Sequence, residues 1–293
     1  FFSGRAMQYL RYPSDAIRLG IFGLPVNLDV VITPQFTPDN TPTGERFSFY
    51  MPPGVNQPIQ RPSNTTGNSE LALRLSRYVG NFDINGYFYT GFYNTPEGLE
   101  AGADTSGAPT LTPIYPRLNV YGASARGSFL SGVSNVEVGY YDSRNDPDGD
   151  NPLLPNSDFR YLLGYERQLF TDFNAGLQYY GERMMNHDRY LEGLDMNGDG
   201  SPDPIFYAKD EVRHLITLRL EKFMLYQTLR LSLFTYWSPN EEDVYSRGLI
   251  SYQLRDEGNV AGGMNVFGGN DHRTMFGQHD KNDNVFLRMR YSF

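Results

Sequence analysis

Apolar and polar residues alternate with a period of two along almost all of this 293-residue chain. Residues 71–76 (LALRLS) and 229–234 (LRLSLF) show the pattern clearly, because every second side chain is apolar. Successive side chains of a β-strand point to opposite faces, so the pattern predicts strands with one apolar and one polar face. No segment has the spacing of a convincing amphipathic helix. The sequence therefore predicts an all-β chain.

Thirteen segments carry this alternation and are bounded by turn-forming residues. The predicted strands are residues 17–22, 26–36, 69–78, 82–93, 116–127, 134–142, 159–168, 173–181, 211–221, 228–237, 244–254, 259–267 and 284–293.

The connections between these segments alternate in length. The short connections are residues 23–25, 79–81, 128–133, 169–172, 222–227 and 255–258. The long connections are residues 37–68, 94–115, 143–158, 182–210 and 268–283, together with the shorter 238–243. In an antiparallel meander, successive connections lie at opposite edges of the sheet. All the short turns therefore share one edge, which a soluble β-sandwich would give no reason for.

The composition excludes several classes of protein. The chain has a net charge of −9 without a basic cluster, which argues against nucleic acid as a partner. The absence of cysteine excludes disulfides and thiolate metal sites. The chain has 22 Tyr and 20 Phe, yet its mean hydropathy is only −0.50. So many rings in so polar a chain indicate that they face something other than an ordinary core.

The C-terminal nonamer strengthens this interpretation. Val285, Leu287, Met289, Tyr291 and Phe293 share one face of the last predicted strand. Together with the alternating loop lengths, this segment resembles the C-terminal assembly signal of Gram-negative outer-membrane β-barrels of the porin-like kind. The resemblance is architectural, covers residues 17–293, and assigns Leu287, Met289, Tyr291 and Phe293 to that signal.

The resemblance implies a transmembrane antiparallel up-and-down β-barrel with short periplasmic turns and long extracellular loops. It also implies a location in the outer membrane of a Gram-negative bacterium. The implied partners are outer-membrane lipid, lipopolysaccharide, the assembly machinery and small solutes, and a homo-oligomer or an envelope complex is a further expectation. Aromatic residues near strand ends would form the interfacial girdles, namely Tyr78, Phe82, Phe92, Tyr93, Phe173, Trp237 and Tyr252.

Single-chain bacterial barrels have an even number of strands, so thirteen is one short. We therefore expect about fourteen strands, with sixteen as the alternative, in a single domain that covers residues 1–293. The additional strand would come from residues 5–12 or from a segment that precedes residue 1.

The polar face of such a barrel would line its lumen. Ten basic and six acidic residues are predicted there, so the lining would carry a positive surplus and favour anions. The alternative is that these charges pair across strands and brace the wall. The predicted pore-lining residues are Arg18, Arg74, Arg117, Arg160, Arg213, Arg219, Arg230, Arg247, Arg288 and Arg290 with Asp29, Glu70, Asp83, Glu137, Glu166 and Glu221.

Tyrosines are a second predicted feature of the lumen. They would either carry ring-bearing solutes or pack against loops that fold inward, and the candidates are Tyr87, Tyr89, Tyr121, Tyr141 and Tyr180. The proline-rich connection 37–68 is the candidate for an inward-folding constriction.

Residues 195–203 (DMNGDGSPD) resemble a calcium-binding loop, with Asp195, Asn197, Asp199 and Asp203 as oxygen ligands. The position at which an EF-hand has glutamate is Phe206, so the alternative is a surface loop without a metal. Residues 146–151 are a weaker calcium candidate, and His272 and His279 a weaker candidate for a transition metal.

No Ser, His and Asp residues have the spacing of a recognisable catalytic triad, and we expect no enzymatic activity. The sequence predicts an outer-membrane porin or substrate-selective passive channel for small hydrophilic, anionic solutes. The alternative is a structural or partner-binding outer-membrane barrel with little conductance.

Overall fold

The computed structural model describes residues 14–41, 44–45, 47–52, 55, 57–196, 198–203 and 206–293. The described ranges contain fifteen strands, one short helix α1 (His187–Gly193), and 3₁₀ helices at Thr66–Asn68 and Gly277–Asn282. The strands are β1 (Ile17–Ile21), β2 (Asn27–Thr33), β3 (Glu70–Val79), β4 (Phe82–Phe92), β5 (Gly98–Ala103), β6 (Pro109–Ile114), β7 (Arg117–Phe129), β8 (Gly132–Ser143), β9 (Asp158–Phe170), β10 (Phe173–Met184), β11 (Val212–Met224), β12 (Leu229–Ser238), β13 (Asp243–Arg255), β14 (Gly258–Gly269) and β15 (Asn284–Tyr291).

Thirteen of these strands form one antiparallel sheet, in which each strand pairs with the next one along the chain. The order runs from β1 through β4 to β7, and then through β8 to β15. Strands β5 and β6 form a separate two-stranded sheet. The all-β prediction is confirmed, and each predicted strand overlaps one strand of the large sheet.

The structure differs from the prediction inside two of the long loops. The β5–β6 hairpin lies in the predicted loop 94–115, and α1 lies in the predicted loop 182–210. Neither segment shows a sustained two-residue alternation in its sequence, and the hairpin is hydrogen-bonded to a neighbouring loop. The amide of Leu99 in β5, for example, donates a 2.8 Å hydrogen bond to the carbonyl of Leu153 in the next loop. The candidate strand at residues 5–12 lies outside the described residues.

The connections of the large sheet sort by length as the sequence predicts. Two-residue turns join β3 to β4, β7 to β8, β9 to β10 and β13 to β14, all at one edge of the sheet, which we call the short-turn edge. Leu130 and Ser131 both have positive φ, at 46° and 62°, as a tight type I′ hairpin turn requires. The opposite edge, the long-loop edge, carries the extended connections.

The register defines two faces of the sheet. One row across the strands joins Leu220, Leu233, Gly248, Met264 and Val285. We call the face with this row the apolar face, and the opposite face the polar face. The apolar face is the exposed one, since Leu163 is 52 % exposed, Ile250 58 % and Leu287 69 %.

Polar side chains of the other face are buried instead. Asp29, Asn85, Thr217, Glu221 and Asn265 are all at least nine-tenths buried. This distribution is the inverse of that in a water-soluble protein, where apolar strand faces are covered. Among the described residues, no helix has the length and apolar character needed to cross a membrane.

The long loops contact one another around the long-loop edge. Each is hydrogen-bonded to the next in chain order, and the last is hydrogen-bonded to the first. The six links are Gln60–Pro113, Leu99–Leu153, Asn156–Met185, Asn240–Asp210, Asn270–Glu242 and Ser48–Asn282. The contacts therefore form a closed circuit, which we call the loop ring.

Candidate functional site

The polar face gathers most of the charged residues that the sequence places in a lumen. The register puts fifteen of the sixteen on this face, and the exception is Arg117. The fifteen are Arg18, Arg74, Arg160, Arg213, Arg219, Arg230, Arg247, Arg288, Arg290, Asp29, Glu70, Asp83, Glu137, Glu166 and Glu221.

Strand β7 corrects two of the assignments. Its even-numbered residues face the polar side, so Arg117 and Tyr121 lie on the apolar side. The Arg117 guanidinium stacks 4.8 Å from the Phe92 ring centre and donates to the Gly67 carbonyl at the long-loop edge. Residues 122–125 are small on both faces (GASA), so the alternation in the sequence does not identify which face is polar.

Four further charged residues belong to the polar face, namely Arg126, Asp158, Glu182 and Asp243. The described strands thus place ten arginines and nine carboxylates there, leaving aside Arg255 beyond a bulge at the end of β13. The three carboxylates that sequence reasoning missed lie at strand ends, where the predicted segments stop short. The positive surplus expected from the sequence is largely neutralised.

Ion pairs brace this face. Arg18 contacts Asp29 at 2.6 Å between Nη2 and Oδ1, across β1 and β2. Glu221, almost fully buried, accepts hydrogen bonds from Arg219 at 2.9 Å and from Arg230. Arg219 also lies 3.8 Å from Glu166. A continuous chain of alternating charge therefore runs across β9, β11 and β12, as the bracing interpretation predicts.

A second group of charges lies near the long-loop edge. Arg160 lies 2.8 Å from Asp158 and 3.5 Å from Glu182, and its guanidinium stacks 4.0 Å from the Tyr141 ring centre. Arg213 donates a 2.8 Å hydrogen bond to Glu241. Burial raises the pKa of the Glu241 carboxyl above its usual range, and the Arg213 guanidinium counteracts that shift.

Two of the predicted tyrosines donate hydrogen bonds to carboxylates of the polar face. Tyr87, Tyr89, Tyr141 and Tyr180 lie on the polar face. The Tyr180 hydroxyl donates to Glu182 at 2.8 Å, and the Tyr89 hydroxyl donates to Glu70 at 2.5 Å. These two hydroxyls therefore already have partners on the polar face.

Aromatic rings fill the polar side near the long-loop edge. Tyr245 is fully buried and stacks on Phe267 with ring centres 4.8 Å apart. Phe276, from the loop between β14 and β15, stacks on Tyr236 at 5.6 Å. Phe47, from the loop between β2 and β3, packs edge-on against Phe267 at 6.3 Å. Two long loops thus each place a ring on the polar side of the sheet. We call the rings of Phe47, Tyr236, Tyr245, Phe267 and Phe276 the aromatic plug.

Closer to the short-turn edge, a polar cavity of about 370 Å³ opens between β7 and β12. Charged and amide side chains from five adjacent strands line it, with Phe234 of the sixth. Because six successive strands share one cavity, the polar face is concave here.

The candidate calcium loop uses its carboxylates locally. Asp195 accepts hydrogen bonds from the amides of Gly198 and Gly200, both at 2.7 Å, and Asp203 accepts one from the Met196 amide at 2.8 Å. Asp199 accepts a 2.9 Å hydrogen bond from the Ser201 amide. Asn197, the fourth predicted ligand, lies outside the described residues. Within the described ranges no three His, Asp or Glu side chains converge as a metal site. The calcium site stays a prediction.

The weaker metal candidates also have local partners. Asp146 accepts the amides of Gly149 at 3.1 Å and Asn151 at 3.2 Å. His272 lies 3.8 Å from Asp271, whereas His279 faces the Ser48 carbonyl.

The residues of the predicted assembly signal lie on the face that the alternation predicts. Leu287, Met289 and Tyr291 share the apolar face of β15, and all are more than two-thirds exposed, as is Phe293. Comparison of the chain with protein-family models, curated proteins and solved structures found no match.

Proposed function

We propose that this chain is an outer-membrane β-barrel of a Gram-negative bacterium and passes small hydrophilic solutes through its lumen. One observation carries the proposal, namely the inverted faces of the sheet. The exposed strand face is apolar, as a lipid-facing wall requires, while ion pairs and amides occupy the covered face. Burying so many charges on one face is favourable only where water and paired charges solvate them.

Closure of the sheet is part of the proposal and is supported by contacts between the first and the last long loops. In strand order β2 and β14 are ten steps apart, which corresponds to roughly 48 Å across a flat sheet. The ring of Phe47, fourteen residues beyond the end of β2, lies 6.3 Å from that of Phe267 in β14. The loop ring likewise returns to its starting loop. A sheet that curls until its ends approach one another accounts for both observations.

The charge balance of the polar face favours weak ion preference. Ten arginines face nine carboxylates, and six of those arginines form ion pairs. Charged rings set the sign of ion preference only by their net charge near the narrowest point. We therefore propose a channel with at most a mild preference for anions.

The aromatic plug favours a second candidate, a barrel that acts as a scaffold or a surface-loop display with little conductance. Three of its rings, Tyr245, Phe267 and Phe276, are buried, and Phe47 and Tyr236 are partly buried, so the rings occupy space at the long-loop edge. In either case the proposed partners are outer-membrane lipid, lipopolysaccharide and the assembly machinery, and we propose no catalytic role.

Single-channel recording of the purified protein in a planar bilayer tests the proposal. Steady conductance, with a small reversal potential of anionic sign under a salt gradient, is the expected result. Silence in every salt, from protein that protease protection shows to be inserted, would overturn the channel and leave the scaffold.

A further inference from the structure

The 370 Å³ cavity on the polar face has an unusual lining. It presents two arginines, Arg126 and Arg219, and two carboxylates, Glu137 and Glu166. Gln178 and the ring of Phe234 complete the part that a solute would contact. The four charges cancel, so the cavity attracts neither anions nor cations by net charge.

One of the two charge pairs forms an ion pair and the other does not. Arg219 and Glu166 lie 3.8 Å apart and neutralise one another. In the part of the chain that the structure describes, Arg126 and Glu137 form no ion pair. Glu137 accepts only a long 3.4 Å hydrogen bond from the Asn135 amide group. One cationic and one anionic group are therefore available in the same cavity.

The register sets the spacing of this pair. Arg126 in β7 pairs with Asn135, and Glu137 in β8 pairs with Ser124, so the two residues are diagonal neighbours on one face. Diagonal positions of adjacent antiparallel strands lie about 7–8 Å apart. The two charged groups are more than 4.0 Å from each other, the limit for an ion pair, and the gap between them opens into the cavity.

We propose that this cavity is a binding site for small zwitterions of the α-amino acid class. Arg126 would donate to the carboxylate of the solute, because a guanidinium matches a carboxylate with two parallel hydrogen bonds. Glu137 would accept from its ammonium group. Gln178 supplies an amide, and Phe234 an apolar surface for the remaining side chain. The inference rests on the proposed function, since the solute reaches the cavity through the lumen.

Gly176 lines the cavity directly, and Gly164 leaves room for the Asn135 side chain that lines it. A Cβ atom at Gly164 would overlap the Asn135 side chain, which is the group that holds Glu137. A Cβ atom at Gly176 would only touch Glu166 Cγ at 3.7 Å and Arg219 Cβ at 3.8 Å. A larger side chain at position 176 would therefore extend into the cavity without displacing the backbone, and Gly176→Leu is a variant that fills the space and keeps every charge.

Osmotic swelling of proteoliposomes that contain the full chain tests the proposal. The probes are threonine, a zwitterion, and erythritol, a neutral polyol of similar size. We expect threonine to enter about threefold faster than erythritol, and Arg126→Gln, Glu137→Gln and Gly176→Leu each to abolish that difference. Arg77→Gln removes an arginine from the apolar face and should preserve it.

The outcomes are distinct. Equal entry of both solutes, or a threonine advantage that survives Arg126→Gln and Glu137→Gln, would overturn the zwitterion site while leaving the channel intact. Faster entry of erythritol would overturn it in favour of a polyol site. No swelling with either probe would instead contradict the proposed channel itself.

Discussion

The backbone amide of Ser48 donates a 2.8 Å hydrogen bond to the side-chain oxygen of Asn282, 234 positions later in the chain. Beside this contact, Phe47 packs against His279 with ring centres 4.8 Å apart. The first and the last long loops of the described chain are therefore joined, and His279 at this joint also lies 5.6 Å from Phe267 of the aromatic plug.

Removal of a plug ring should widen the proposed channel. We expect Phe47→Ala to increase single-channel conductance by about twofold, because the aromatic plug loses the ring that the first long loop contributes. Phe129→Ala, at an exposed strand end by the short-turn edge, is the matched control and should leave conductance unchanged. Identical currents from wild type and Phe47→Ala would show that the plug does not limit conduction.

Adjacent leucines of β9 test the orientation of the two faces. Leu163 lies on the apolar face and Leu162 on the polar face, where it pairs with Glu137. We expect Leu163→Arg to cost about 2–4 kcal/mol of folding free energy in the membrane and Leu162→Arg much less. Heat-modifiable migration on gels gives the folded fraction of each refolded variant, from which its loss of folding free energy is obtained. Equal tolerance of the two substitutions would contradict the assignment of the lipid-facing side.

Glu221 is the common acceptor of two arginines. We expect Glu221→Gln to lower stability by about 1–3 kcal/mol and to increase anion preference, because Arg230 loses its charge partner and Arg219 keeps only Glu166, 3.8 Å away. Glu257→Gln, in an exposed turn, is the control. Chemical denaturation and reversal potentials are the two measurements, and an unchanged reversal potential would show that these arginines lie outside the conduction path.

The joint between the loops should weaken in acid. Burial lowers the pKa of His279 below its ordinary value of 6.5, so the folded state binds its proton less readily than the unfolded state. The stability that neutral His279 contributes is therefore present above pH 6.5 and is lost as the pH falls below that value. We expect hydrogen exchange of the Ser48 amide, corrected for its intrinsic rate, to accelerate between pH 7.5 and 5.5.

The loop at Asp104 supplies the internal control for that experiment. Hydrogen bonds from Ser106 and Ala108 lower the pKa of the Asp104 carboxyl, so the Ala108 amide should keep its protection over the same range. His279→Gln should remove the pH dependence at Ser48. Equal protection of Ser48 at both pH values in the wild type would contradict the role of His279.

The β7–β8 turn offers a stabilising change. Leu130 and Ser131 both adopt positive φ, which costs free energy for residues with a Cβ atom. The double substitution Leu130→Asn with Ser131→Gly should raise the unfolding free energy by about 0.5–1 kcal/mol, because asparagine and glycine favour this turn. The denaturation midpoint of the double variant measures the change, and a lower midpoint would indicate that the Leu130 side chain contributes more than its backbone costs.

Much of the fold follows from the sequence, because a strand with one apolar and one polar face has apolar and polar residues at alternate positions. Leu287, Met289 and Tyr291 follow this pattern clearly, and they lie on the predicted face. β7 lacks this pattern, since Gly122 and Ala123, on opposite faces, are both small. The sequence therefore assigns Arg117 and Tyr121 to the wrong face. Register with β4 and β8 is needed to place them.

The candidate site is less predictable than the strands. The sequence predicts Glu137 as a polar-face residue, but not its partner in the cavity, Arg126, because that arginine lies in the same ambiguous strand. The β5–β6 hairpin and the aromatic plug depend on contacts between distant loops, such as Phe47 with Phe267, which no local pattern encodes.

The loop ring has a consequence for the order of assembly. Nearly all pairing in the large sheet joins neighbours in sequence, so strands can add one after another with little loss of chain entropy. The Ser48–Asn282 bond is different, since it closes a circuit of more than two hundred residues. The Ser48 amide can reach Asn282 only when the strands between them are in place. Protection of the Ser48 amide thus distinguishes a finished molecule from one arrested with its last strands unpaired.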